Sequence, residues 1–95
     1  MNKLEVGMYV RTFYGKIYKI TELDLQFEMT KQNCKKASHN IIDLIEVGDY
    51  VNGSKVSIIE SEFIYWETGN AIHCKYIESI VTKEQFKSME YKVNE

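Results

Sequence analysis

The sequence predicts a mainly β protein: a small SH3-like barrel built from two Gly-led hairpin repeats, with a short C-terminal helix. Three observations lead there. The composition is rich in Ile, Val and Tyr and contains no proline, which favours pleated strands over helices. A seven-residue segment, Leu4-Glu5-Val6-Gly7-Met8-Tyr9-Val10, returns as Ile45-Glu46-Val47-Gly48-Asp49-Tyr50-Val51 with five of the seven positions identical. Short strand patterns and turn signals then alternate at intervals of roughly eight to twelve residues, the rhythm of a small barrel or sandwich.

With 95 residues, the chain fits a single domain with two pseudo-repeat halves, about 4–29 and 41–81; whether the halves share one barrel or pair across a dimer is left open by the sequence. Two separate modules of about forty residues each would be too small for independent cores.

Each repeat reads as a turn feeding a strand. Gly7 and Gly48 stand where a type II turn requires positive φ, and Tyr-Val begins the strand that follows. A hairpin signal comes next, Tyr14-Gly15 in the first copy and Asn52-Gly53 in the second, with returning strands over 16–23 and 54–60. Leu25, Phe27 and Met29 alternate with Gln26 and Glu28, the period-2 pattern of a half-buried strand. The stretch 30–40, with Lys31, Lys35 and Lys36 and no apolar period, reads as a mobile loop joining the halves. A further hairpin is expected over 63–67 and 71–74 around Thr68-Gly69-Asn70, followed by a strand or irregular return over 75–81. Thr82 and Gln85 form a capping box, with Val81 and Phe86 as its hydrophobic staple, so a helix should run over about 83–89. Phe86 and Met89 give that helix an apolar stripe to lay over one end of the barrel.

Charge narrows the function classes. Twelve Lys plus Arg against fourteen Asp plus Glu leave a net charge of −2, without the positive excess of a sequence-independent nucleic-acid binder. Arg11 is the single arginine, so bidentate phosphate or guanine contacts are scarce. No apolar run approaches a membrane span and the N-terminal residues lack a signal-peptide core, so a cytoplasmic protein is expected, with Cys34 and Cys74 as free thiols.

The segment Asn40-Ile41-Ile42-Asp43-Leu44-Ile45-Glu46-Val47-Gly48-Asp49-Tyr50-Val51-Asn52-Gly53, together with Ile80-Val81-Thr82-Lys83-Glu84-Gln85-Phe86 and the opening Val6-Gly7-Met8-Tyr9-Val10-Arg11-Thr12, resembles small, largely uncharacterised phage and prophage proteins of Gram-positive bacteria. The resemblance implies a phage setting in a bacterial host cell and no chemistry. It departs over 16–38 and 57–71, where binding specificity would reside. By analogy of lifestyle it implies a non-enzymatic accessory module acting by protein–protein contact on a host or phage protein, such as an anti-CRISPR-like inhibitor of a defence nuclease.

Catalytic and metal constellations find little support. Cys34, His39, His73 and Cys74 lack zinc-site spacing, and adjacent His73 and Cys74 on a strand should point to opposite faces. No nucleophile stands in a recognisable motif, and the acidic pairs Glu22/Asp24 and Glu60/Glu62 read as wet strand faces. No Gly-rich phosphate loop occurs, and neither a cofactor nor a metal is expected. The aromatic residues, by contrast, exceed what so small a barrel can bury. Arg11, Tyr14, Tyr65 and Trp66 are accordingly the expected partner-binding residues. Nucleic acid stacked on aromatics beside Arg11, Lys16 and Lys19 is the second reading, no membrane role is expected, and a homodimer is left open.

Overall fold

The computed structural model describes residues 3–89 and is mainly β, with two antiparallel sheets and a short C-terminal helix. It divides into two compact units, 1–45 and 46–95, with the boundary falling inside the second copy of the repeat.

Unit 1 carries strands β1 (Tyr9–Thr12), β2 (Ile17–Lys19) and β3 (Cys34–Ser38), in the order β2-β1-β3. The type II turn forms as the sequence requires: Gly7 has φ +93°, and the Met8 amide donates to the Glu5 carbonyl at 3.2 Å. β1 then turns through Phe13 and Tyr14, and Gly15 closes the loop at φ +94°. The Gly15 amide donates to the Thr12 carbonyl and the Thr12 amide to the Lys16 carbonyl, the pattern of a three-residue hairpin ending in a left-handed glycine. Leu4, Val10 and Ile20 form the core, with Met8, Tyr18, Cys34 and Ala37 packed against it.

The segment between β2 and β3 corrects the sequence reading. Leu25 lies in a 3-10 turn (Asp24–Gln26) and Met29 in helix α1 (Glu28–Asn33), not in a strand. Local bonds decide this. Asp24 Oδ2 accepts from both the Thr21 amide and hydroxyl, tightening a turn, and the Thr30 hydroxyl donates to the Asp24 carbonyl at 2.7 Å. Glu28, Met29, Lys31 and Gln32 are also good helix formers. The expected loop over 30–40 is instead the end of α1 and the edge strand β3, where pairing with β1 overrides the weak strand propensity of Cys-Lys-Lys-Ala-Ser. A 3-10 turn (Ile41–Leu44) follows.

Unit 2 has strands β4 (Tyr50–Val51), β5 (Ser54–Glu60), β6 (Phe63–Trp66), β7 (Ala71–His73) and β8 (Ile80–Val81), in the order β7-β6-β5-β4-β8. Asn52 (φ +49°) and Gly53 (φ +86°) give the type I′ turn of the β4–β5 hairpin. The β6–β7 hairpin repeats the bonding of the first: the Gly69 amide donates to the Trp66 carbonyl and the Trp66 amide to the Asn70 carbonyl. Asn52 also gathers the return segment, accepting from the Glu78 and Ser79 amides at 2.8 and 3.1 Å. Val51, Val56 and Ile64 are fully buried.

Helix α2 (Lys83–Ser88) begins at the expected residue, with both bonds of the Thr82/Gln85 capping box formed and Met89 as its C-cap. Phe86 stacks on Tyr50, ring centroids 4.4 Å apart. The fully buried Asp49 carboxylate accepts from the Glu46 amide at 2.7 Å and the Lys83 amide at 2.9 Å, fastening the repeat turn to the first residue of α2.

Candidate functional site

Unit 1 exposes large apolar side chains that its core does not use. Phe13 and Tyr14 project from the β1–β2 loop, Leu23, Leu25 and Phe27 from the turns before α1, and Met29 from α1 itself; all six are exposed, Tyr14, Phe27 and Met29 at 60, 56 and 65 %. The loop and the helix are held together, because the Phe13 amide donates to the carbonyl of Asn33 at the end of α1. Between them lies a groove of about 300 Å³ lined by Tyr14, Lys16, Tyr18, Asp24, Phe27 and Met29.

The groove mixes apolar and polar walls about equally, since Thr12, Thr30 and Asn33 line it beside Lys16 and Asp24. Lys16 Nζ lies 5.6 Å from the centre of the Tyr18 ring. Burial raises the Tyr18 phenol above its usual value, a hydrogen bond with Thr30 partly offsetting the effect. At neutral pH Tyr18 therefore presents a neutral phenol. Its neighbours Lys16 and Asp24 supply one charge of each sign.

The four expected binding residues divide between the units, Arg11 and Tyr14 in unit 1 and Tyr65 and Trp66 in unit 2. Tyr14 is exposed and lines the unit 1 groove. Arg11 is a correction: it is fully buried, and its guanidinium donates to the Leu44 carbonyl at 3.0 Å, so it tethers the chain after β3 within unit 1 instead of facing a partner. Val10, Arg11 and Thr12 are all buried, so β1 is covered on both faces and alternation leaves Arg11 no exposed side; the register shifts between Arg11 and Thr12. Tyr65 and Trp66 belong to β6 in unit 2, both half-buried. The Trp66 indole donates to the Val51 carbonyl at 3.0 Å, which gives it a structural part there.

Phe27 and Met29 were missed as site residues because their alternation with polar neighbours imitates a half-buried strand. Apolar residues that alternate without a partner strand end up exposed on a turn and a short helix. Lys31 lies on α1 and Lys35 and Lys36 on β3, so the expected basic loop is divided between two elements.

A second cluster lies in unit 2. The expectation that His73 and Cys74 diverge is corrected: β7 ends at His73 and a 3-10 turn (Cys74–Tyr76) begins at once, which breaks the strand alternation. Cys74 Sγ comes to 3.8 Å from His73 Nδ1, and Glu62 Oε2 lies 3.9 Å from His73 Nε2.

Among the described residues, no helix is long and apolar enough to cross a membrane. Comparison with known families, with curated proteins and with solved structures gives no match for this chain.

Proposed function

We propose that the chain is a non-enzymatic binding module that engages a protein partner through the groove and exposed apolar side chains of unit 1, with Tyr14, Phe27 and Met29 as anchors. The observation that carries this reading is the run of six exposed large apolar side chains between residues 13 and 29, three of which, Tyr14, Phe27 and Met29, line one groove. Such a patch with polar groups at its centre is the usual mark of an interaction site. The short antiparallel strands and Gly-led turns support an SH3-like barrel as the finer fold, a scaffold on which loops supply specificity.

The resemblance of the repeat segments to phage and prophage proteins supports a host or phage protein in the bacterial cytoplasm as the partner. Inhibition of a defence nuclease, in the anti-CRISPR manner, is the role that setting suggests. Nucleic acid is the second reading, favoured by Lys16 lying over the Tyr18 ring within the groove.

Affinity capture from a Gram-positive host lysate tests both, using wild type, Phe27→Asp and Tyr14→Ala, with and without nuclease. The expected result is one host protein retained through nuclease by wild type and lost with Phe27→Asp. Each variant should change stability by no more than about 0.5 kcal/mol, because the side chains are exposed. Recovery that depends on nucleic acid and fades with salt would favour the second reading. Equal recovery by all three proteins would move the site away from this groove.

A further inference from the structure

We propose that Glu62, His73 and Cys74 form a binding site for a single zinc ion at the open end of the β6–β7 ladder. One ligand atom from each of the three lies within 4.8 Å of the others. The backbone fixes this juxtaposition. Phe63 and His73 form the last paired residues of the ladder, and one step beyond them the Cys74 amide donates to the Glu62 carbonyl at 2.8 Å. Ser61, at φ +52°, turns the chain into Glu62 from one side, and the 3-10 turn from Cys74 departs on the other. The His73 ring is further held edge-on by Phe63, centroids 5.2 Å apart.

The donor set selects the metal. A thiolate, an imidazole and a carboxylate suit zinc, whereas calcium and magnesium require oxygen ligands. Bonds of about 2.0 to 2.3 Å from one tetrahedral ion bring its ligand atoms to within roughly 4 Å of each other. The 3.8 Å separation of Cys74 Sγ and His73 Nδ1 already meets that condition.

His73 Nδ1 now accepts from the Lys75 amide at 3.1 Å. That bond is at the surface, so water can take over the amide when zinc takes the nitrogen lone pair. The exposed Glu62 carboxylate, now beside Nε2, turns to the metal as the third ligand. Binding deprotonates the Cys74 thiol, and the proton passes to solvent. A fourth position stays open to water.

Cobalt titration of the full chain tests the site, with zinc as competitor. The expected result is one Co2+ per chain, with a thiolate charge-transfer band and tetrahedral ligand-field bands that zinc displaces. Cys74→Ser should abolish the thiolate band and Cys34→Ser should leave it intact. His73→Ala should weaken binding by at least about tenfold, and Glu62→Gln by about tenfold. On the unaltered chain, zinc should protect Cys74 and not Cys34 from alkylation, a readout independent of whether a variant folds. Absence of a thiolate band, its survival in Cys74→Ser, or equal alkylation of both cysteines with and without zinc would overturn the site.

Discussion

Units 1 and 2 are built on the same three-stranded frame and differ in what they insert into it. The repeated segment forms the turn and the central strand, β1 in one and β4 in the other, and each central strand lies between an immediate hairpin partner and a later strand. The registers correspond: Tyr9 faces Lys19 and Ser38, and Tyr50 faces Lys55 and Val81. So do the bonds at the turn. Gly7 donates to the Ile20 carbonyl at 3.0 Å while Ile20 donates to Met8 at 2.8 Å, and Gly48 and Asp49 make the same pair of bonds with Val56 at the same distances. Even the glutamates match, Glu5 meeting His39 at 2.9 Å and Glu46 meeting Lys83 at 2.8 Å, each just after the third strand. The lesson is that five shared residues specify far more than a turn: they specify a frame whose partners are set by backbone pairing and need not be similar in sequence.

The inserts between the second and third strands diverge. Unit 1 places a 3-10 turn and α1 there and forms the groove; unit 2 extends β5 and adds the β6–β7 hairpin, which buries Ile64 and brings Glu62, His73 and Cys74 together. The frame is thus the constant part and each insert supplies a separate surface.

The sharpest difference within the frame is Met8 against Asp49, and no larger effect is expected. Asp49→Ala leaves two part-buried amide donors, of Glu46 and Lys83, without their carboxylate and should cost about 2 kcal/mol. Met8→Ala, at a half-buried apolar site, should cost about 1 kcal/mol. Urea denaturation of both variants measures the difference, and equal losses would show that Asp49 does not fasten α2.

Next come the two glycines. Gly7→Val and Gly48→Val each force a β-branched residue to φ near +93° or +100° and should each cost about 2 kcal/mol. A neutral Gly7→Val would break the equivalence of the copies.

The smallest effect is alkaline. Burial raises the Cys34 thiol above its usual 9.0 and the Tyr18 phenol above its usual 10.0, both in unit 1. Folded unit 1 therefore keeps protons that the unfolded chain releases. The stability they contribute is complete below those ordinary values and falls as pH rises through the folded ones. In unit 2 a hydrogen bond to Glu46 raises Lys83 above its usual 10.5, with the same sign, so the loss there starts later. Trp66 is the single tryptophan and reports on unit 2. Above pH 9.0, far-ultraviolet circular dichroism should therefore weaken at lower denaturant than Trp66 fluorescence. Coincident transitions at every pH would show that the units unfold together.

Elements were legible in the sequence where a local rule had a single solution. Asn52-Gly53 admits little but a type I′ turn, the Thr82/Gln85 box starts α2 at Lys83, and β5 spans the predicted 54–60. Legibility failed where a distant partner decides. β3 is a strand because β1 offers it an edge, which no property of Cys34–Ser38 announces, and Leu25 to Met29 lacks an edge although its pattern asks for one. The site divided in the same way. Exposed Tyr14 followed from its place at a turn, whereas buried Arg11 and the meeting of Glu62 with His73 depend on residues far along the chain.

The matching turns also make the frame a ready scaffold for grafting. One copy carries a helix between Lys19 and Cys34 and the other a hairpin between Val56 and Ile80, while both central strands keep the same bonds. Loop closure grows more costly only slowly with length, by about 0.6 kcal/mol per doubling. A library of foreign peptides displayed between the second and third strands should therefore leave the remainder of either unit folded, which makes the frame a chassis for selecting new specificities.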